Sequence, residues 1–467
     1  MRRWLVGGGV LLLLAVLGVY FAADRVLASA AVRAQIEQQL TAKLGQPVRI
    51  GAVRASLFPG IAVDLRDVAI GQPDALHLER IRVRTGIRAV FADVIDLREI
   101  DVSGARLVGV EPPFTFDLTA SVLGDRLDVT SLLVNAPSTR IAGHGVLTSI
   151  ANLDGVFEVQ SERLDLNELL AIGAGFASSG RPDQSRAPSS KPRPMHLVVQ
   201  TTSPRVRFGS YEFRKLSTRI EVQPSRYALN DVSIEMFGGA FAGRLNALTG
   251  SAAPKLQLVG TVTGVDVAEL LKETGAAGGI TGTLNAGLSL AASGSDIASL
   301  QRSLTGTIDD AGVSKGTMPR LDLVRTIVLA FGKPSGAAPE GSGTAFERMA
   351  GSFRLAGGVI RSENLQFRAR DFDAAGRGSL TLASGAVDAR TDVVLSRELT
   401  EQAGTDLRRY AQEDGRVVVP ATVSGPLTNP TVFIDVAAAA KRAFSNELKR
   451  RATDFIGGLF KKKKGGG

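Results

Sequence analysis

Over long stretches of this chain apolar and polar residues alternate one by one, so that Val387, Ala389, Thr391, Val393 and Leu395 interleave with Asp388, Arg390 and Asp392. Successive strand side chains point to opposite faces, so the alternation describes a sheet with one apolar and one solvated side. The pattern predicts a mainly β protein. What covers or uses the apolar side then becomes the functional question.

At the front, Trp4 to Ala23 carries no charge, and as a helix it is about 30 Å long, the hydrocarbon thickness of a bilayer. Arg2 and Arg3 precede it, whereas Asp24 and Arg25 cancel after it. The positive-inside rule therefore predicts a single transmembrane helix within residues 1–27, N-terminus cytoplasmic, which in a bacterium places the bulk in the periplasm. A cleaved secretory signal is the alternative, since Ala28, Ser29 and Ala30 offer a small-residue cleavage pattern, although such signals carry an apolar core of only about 7 to 15 residues.

The 467 residues include no cysteine, which removes disulfides, thiolate nucleophiles and cysteine metal sites. His77, His144 and His196 form no pair with metal-ligand spacing, so no metal or other cofactor is expected. The net charge of +9 is concentrated at the ends: Lys441, Arg442, Lys449, Arg450, Arg451 and Lys461 to Lys464 outweigh Glu447 and Asp454, and Arg2 and Arg3 supply the rest. The near-neutral body lacks a basic, aromatic-interleaved surface, so nucleic acid is not an expected partner.

Val32, Ile36, Leu40 and Leu44 fall at four-residue intervals before Gly45 and Pro47, which predicts one short amphipathic helix and its stop. Ile61, Val63 and Leu65 begin the strands, followed by Leu76, Leu78, Ile81 and Val83, then Ile95, Leu97, Ile100 and Val102. In the last two runs the alternation slips at Glu79 with Arg80 and at Arg98 with Glu99, the mark of a bulge or break that twists a sheet.

Internal repetition is visible. Leu164-Asp165-Leu166-Asn167-Glu168-Leu169-Leu170 is echoed by Val265-Asp266-Val267-Ala268-Glu269-Leu270-Leu271, each ending a β-rich stretch in a helical turn. Gly143-His144-Gly145-Val146-Leu147, Ala242-Gly243-Arg244-Leu245 and Gly376-Arg377-Gly378-Ser379-Leu380 read as one strand entry used three times. Units stacked in this way bury their faces through neighbours and predict an elongated body, with a pair of β-sandwiches as the alternative. Between Ala177 and Pro194 the composition collapses to small and polar residues, a linker or long loop, and Gly332 to Thr344 reads as a second loop after an apolar helix at Leu321 to Phe331.

On these residues the chain resembles the AsmA-like family of envelope proteins. The N-terminal span, the Val32 to Leu44 helix and Gly45-Gln46-Pro47-Val48 resemble the family's start. Met349 to Leu355, Gly358-Val359-Ile360 with Leu365, Gly376 to Leu382, Val387 to Leu395 and Pro420 to Pro430 resemble its C-terminal region. The resemblance implies an inner-membrane-anchored periplasmic protein with an elongated, curved, mostly antiparallel β-sheet that forms an apolar groove. It also implies a part in outer-membrane biogenesis and phospholipid movement. The corresponding division is 1–27 anchor, 28–176 helix plus β module, 177–194 linker, 195–275 middle β repeat, 276–435 C-terminal β module and 436–467 basic amphipathic tail.

An apolar trough suits acyl chains independently of that resemblance, because each methylene removed from water gains roughly 0.8 kcal/mol. The candidate lining is Phe353, Leu355, Leu365, Phe367, Leu380, Leu382, Val387, Val393 and Leu395. Expected partners are phospholipid, the inner membrane and the outer membrane or another envelope protein. A non-conducting scaffold or regulator of envelope assembly is the alternative function. About 20 strands spaced about 4.8 Å apart would extend about 100 Å, which leaves room for a partner in crossing an envelope.

In the tail, Phe444, Leu448, Phe455, Ile456, Leu459 and Phe460 intersperse with basic residues and end in Lys461, Lys462, Lys463 and Lys464. That composition suits an anionic bilayer surface, a solvated terminal helix being the alternative. Gly312-Val313-Ser314-Lys315-Gly316 fits the G-x-S-x-G nucleophile elbow, but the required later histidine is missing, since all three histidines come earlier. These five residues, like Asp309 and Asp310, are expected in turns, and no catalytic role is expected of the chain.

Overall fold

The structure, a computed structural model, describes residues 30–44, 46–56, 61–71, 76–85, 97–179, 194–249, 253–273, 277–294, 297–330, 343–402, 412–413, 415–442, 444–445, 448 and 451–452. The expected span at Trp4 to Ala23 and Lys461 to Lys464 lie outside these residues, as do 180–193 and 331–342. Among the described residues no helix is long and apolar enough to cross a membrane. The chain divides into two compact units, Met1–Asp231 and Val232–Gly467. Both are mainly β.

The first unit contains helix α1 (Ala30–Leu44), then strands β1 (Val48–Ser56), β2 (Ile61–Ile70), β3 (Leu76–Thr85), β4 (Leu97–Leu107) and β5 (Thr115–Leu123). Strands β6 (Arg126–Asn135), β7 (Arg140–Ser149) and β8 (Asp154–Asp165) lead into helix α2 (Leu166–Ser179), then β9 (His196–Phe208) and β10 (Tyr211–Gln223). Each strand pairs antiparallel with the next, except that β8 and β9 run parallel. The α2 connection returns the chain to the strand end where β8 began. Strand β11 (Arg226–Met236) carries the boundary between the units.

Helix α1 spends one face on the outer margin of β1. Arg33, Glu37 and Thr41 are each one turn apart; Arg33 donates to the Gly51 carbonyl (3.0 Å), while the N–H groups of Ile50 and Val48 donate to Glu37 Oε1 (2.7 Å) and Thr41 Oγ1 (3.0 Å). These bonds satisfy edge groups that would otherwise recruit another strand. Ile36 and Leu40 pack on Val48, Ile50, Val53, Leu65, Val68, Leu78 and Ala105.

The strands begin at Val48, earlier than the expected start at Ile61. The alternation of β1 breaks at Gly51, where buried Ile50 gives way to buried Val53, and that break hides the strand. The same break recurs in β2 between Leu65 and Val68 and in β3 between Leu78 and Ile81, the sequence slip at Glu79 with Arg80. The registers set Gly51 opposite Asp67, Asp67 opposite Glu79 and Glu79 opposite Gly104, so the slips form one crease across four strands. Asp67 and Gly104 have φ of 52° and 63° there. At the second slip, Arg84 pairs with Glu99 but Thr85 with Leu97, which leaves Arg98 as an extra residue.

The second unit contains β12 (Gly239–Leu248), β13 (Lys255–Asp266), α3 (Val267–Glu273), β14 (Thr283–Ser293), α4 (Ile297–Ser303) and β15 (Thr305–Met318). Then come α5 (Leu323–Ala330), β16 (Thr344–Ala356), β17 (Val359–Arg368), β18 (Phe372–Thr381), β19 (Ala386–Leu395) and α6 (Arg397–Gln402). The two-residue β20 (Gln412–Glu413), β21 (Arg416–Pro426) and β22 (Thr431–Ile434) complete it. Strands β12 to β19 pair antiparallel in order; β21 then pairs with β19, β20 and β22. Residues 436–442 form a further helix, α7, and the described residues from 444 to 452 are helical too.

The Asp165 and Asp266 repeat has a shared structural cause. Asp165 Oδ1 accepts from the N–H groups of Asn167 (2.9 Å) and Glu168 (3.2 Å), and Asp266 Oδ1 from those of Ala268 (2.7 Å) and Glu269 (3.3 Å), capping α2 and α3. The three glycine motifs lie in the middle of β7, β12 and β18 and are not strand entries. Gly312 to Gly316 and Asp309 with Asp310 lie inside β15, not in turns; Asp310 sits at a register break with φ 50°. Ala177 to Ser179, expected in the linker, belong to α2, and the helix expected from Leu321 begins at Leu323 as α5.

Candidate functional site

Strand registers assemble the apolar residues of the first unit into rows that cross the strands. Val122, Leu127, Leu147, Gly155, Leu197 and Val222 are successive partners. Beside them run Ala120, Val129, Gly145, Phe157, Val199 and Ile220. The opposite face is mixed: His144 lies 3.7 Å from Glu158, whose partner across the parallel seam is Gln200, and beside them Val146, Val156 and Val198 are successive partners. Leu127, Leu147, Phe157, Leu197, Val199 and Ile220 are only half-buried.

The helices of this unit lie against β1 and β9. Ile172 of α2 packs with Val110 and Phe114 over Phe116 and Val134, closing one strand end. At the other end the β5–β6 and β7–β8 turns leave Leu123 exposed by 74%, with Ile150 and Leu153 also exposed. Asp125 ties these tips together, accepting from Ser149 Oγ (2.7 Å) and the Ala151 N–H (3.0 Å), bonds that hold its carboxyl below the ordinary value.

In the second unit the corresponding row is Leu245, Leu258, Leu290, Gly306, Leu355, Ile360, Leu380, Val387 and Gly425. Ile308 with Phe353 forms the next. Glycines lower this floor. A Cβ at Gly260 would lie 2.6 Å from the Phe241 ring, one at Gly378 2.9 Å from Leu365 Cδ1, and in the first unit one at Gly145 2.5 Å from the Phe157 ring. The large side chains therefore lie flat across glycine, which explains why the glycine motifs occupy mid-strand.

The strand end that carries α5 and α7 is sealed. Leu323 and Ile327 of α5 and Ala439 of α7 pack with Phe372, Val393, Leu395, Val417, Val419 and Ile434. Buried Thr344 anchors α5 by accepting from the Leu323 N–H (2.8 Å) and donating to the Leu321 carbonyl.

The nine residues predicted to line the groove therefore fall into different settings. Leu355, Leu380 and Val387 share the long row, with Phe353 beside it, and Leu355 is 4% exposed. Leu365 lies over Gly378, and Phe367 stacks on Phe372 (5.5 Å) and meets the Phe346 ring at a tilt (5.1 Å). Val393 and Leu395 are inside the sealed cluster, whereas Leu382 is exposed in the β18–β19 turn. Sequence reading missed Leu245, Leu258, Leu290 and Ile360; the same period-two alternation marks them. Ser314 Oγ reaches the Thr283 carbonyl at 3.5 Å within paired strands. Among the described residues no cluster of His, Cys, Asp or Glu could hold a metal ion.

These two units define a class of β-sheet protein with groove-like apolar faces, closed by packed helices at one strand end and bordered at the other by hairpin tips, with the short α4 among them in the second unit. The sequence model of the AsmA family matches residues 150–365, from the β7–β8 turn to β17, and the chain is AsmA-like. Of the fragments that carried the resemblance, those from Met349 to Leu365 fall inside this span, and those up to Val48 and from Gly376 onward fall outside it. No curated protein and no solved structure matches the chain.

Proposed function

We propose that this chain is an envelope protein that holds phospholipid acyl chains on its apolar sheet faces and supports outer-membrane biogenesis, tethered in the inner membrane by residues 1–27 with its bulk in the periplasm. The observation that carries the reading is the unbroken lateral row from Leu245 to Val387, with partners on β12 to β19. A lipid tail laid along such a row gains about 0.8 kcal/mol for each methylene removed from water. The AsmA likeness supports the same assignment. A headgroup would stay in solvent beyond the hairpin ends, so the reading demands no catalytic or cofactor-binding residue.

Photocrosslinking from benzoylphenylalanine at Phe353 or Leu380, with mass spectrometry of the adducts, tests it. Phospholipid adducts at these positions, and none at sealed Leu395, are expected. Protein adducts alone would replace the lipid reading with that of a non-conducting scaffold or regulator.

A further inference from the structure

Helix α7 has two faces with different chemistry. Asp435 caps it, accepting at Oδ1 from the Ala438 N–H (2.7 Å), and Val436 and Ala439 pack against the cluster that seals the second unit. Arg442, one turn further, holds Asp392 of β19 at 2.9 Å. These three positions fix the inward side. Lys441, Phe444, Leu448 and Arg451 recur at intervals of three and four residues and are all exposed, Phe444 by 65% and Leu448 by 55%. On a helix that spacing makes a single stripe. In the sequence Phe455 and Leu459 continue the same interval.

An outward stripe of aromatic and aliphatic side chains flanked by cations has no use in a helix that only closes a sheet end, because Val436 and Ala439 already do that. Its charge identifies the occupant. From residue 436 onward nine basic residues stand against Glu447 and Asp454, and such a balance favours a surface dense in negative charge with hydrocarbon just beneath it. We propose that the outward face of α7 and of the helical residues after it docks on an anionic bilayer, with Phe444 and Leu448 entering the acyl boundary and Lys441 meeting the headgroups. The docking brings the helix-bearing end of the second unit to a membrane. It does not rest on the lipid-holding reading, since α7 could dock whether or not the sheet faces carry lipid.

The chain has no native cysteine, so a Leu448→Cys variant of the full chain can be labelled uniquely with nitrobenzoxadiazole. Reconstituted into phosphatidylcholine vesicles with phosphatidylglycerol, the label should shift to blue emission and be quenched by spin-labelled lipid, and added salt should reverse both. Vesicles of phosphatidylcholine alone should give neither. Phe444→Ser in the same background should reduce the docked fraction about tenfold with an unchanged circular dichroism spectrum. An aqueous-like emission in both vesicles overturns the proposal, as does an equal response in both. A blue emission that spin-labelled lipid fails to quench marks a protein cover, such as a second copy, and overturns it too.

Discussion

Asn285 Oδ1 accepts a hydrogen bond from the Gly264 N–H at 2.9 Å, across the register break between β13 and β14. The device recurs twice: Asp117 Oδ1 takes the Gly104 N–H (2.7 Å) between β4 and β5, and Asn364 Oδ1 takes the Ser352 N–H (2.8 Å) between β16 and β17. A bulge frees an amide from the ladder, and a side chain from the neighbouring strand replaces the lost carbonyl. Asp117→Ala should therefore lower stability by about 1 to 3 kcal/mol, the cost of an unmet donor. Urea denaturation should find it more damaging than Thr119→Ala two residues away on β5.

Asp64 meets Arg80 through two bonds, 2.6 Å and 2.8 Å, with Arg82 at 3.7 Å, and the Arg80 hydrogen bond is the main reason its carboxyl titrates below the ordinary value of 3.8. A depressed folded-state value stabilises the fold above the ordinary carboxylate range, and that contribution fades as pH falls below about 4 through the folded value. Asp64→Asn should lower the midpoint of thermal unfolding at neutral pH and flatten its acid dependence. An acid limb unchanged by Asp64→Asn would contradict this.

Gly376 faces the apolar side of β18, where a Cβ would come within 2.7 Å of Thr391 Cα. Gly376→Val should cost about 1 to 3 kcal/mol through backbone displacement. Gly124 has open space around it but φ 62°, so Gly124→Ala should cost nearer 1 kcal/mol, from conformation alone. Chemical denaturation of the two variants separates crowding from strain.

Ile327 is 1% exposed in the seal of the second unit, and Leu382 is 47% exposed at its hairpin end. Ile327→Ala should cost about 2 to 5 kcal/mol. Leu382→Ala should stay within about 0.5 kcal/mol. Equal losses in thermal denaturation would mean that both ends are closed.

The alternation that predicts strands at Val387 to Leu395 holds because one side of β19 is solvated along its length. It fails in β1, where the crease at Gly51 moves the apolar residues from even to odd positions within nine residues. Arg98 is legible as a bulge because it breaks a strongly alternating run, and Asp165 and Asp266 are legible as caps because capping is local chemistry. The parallel seam of β8 and β9 depends on where the chain returns after α2, and no residue in either strand encodes it. The glycine motifs are visible in sequence, but their purpose appears only when Phe157 and Phe241 are seen lying across them. Leu395 and Leu380 share the same alternation; α5 and α7, distant in sequence, put the first under a lid and leave the second on the open row.

The bonds from Arg33, Glu37 and Thr41 to β1 occupy backbone groups on which a foreign strand would grow. Copies crowded together are thereby kept from zipping side by side through β1. An assembly on this margin must be welded through α1, where mutation can tune it without endangering the ladder.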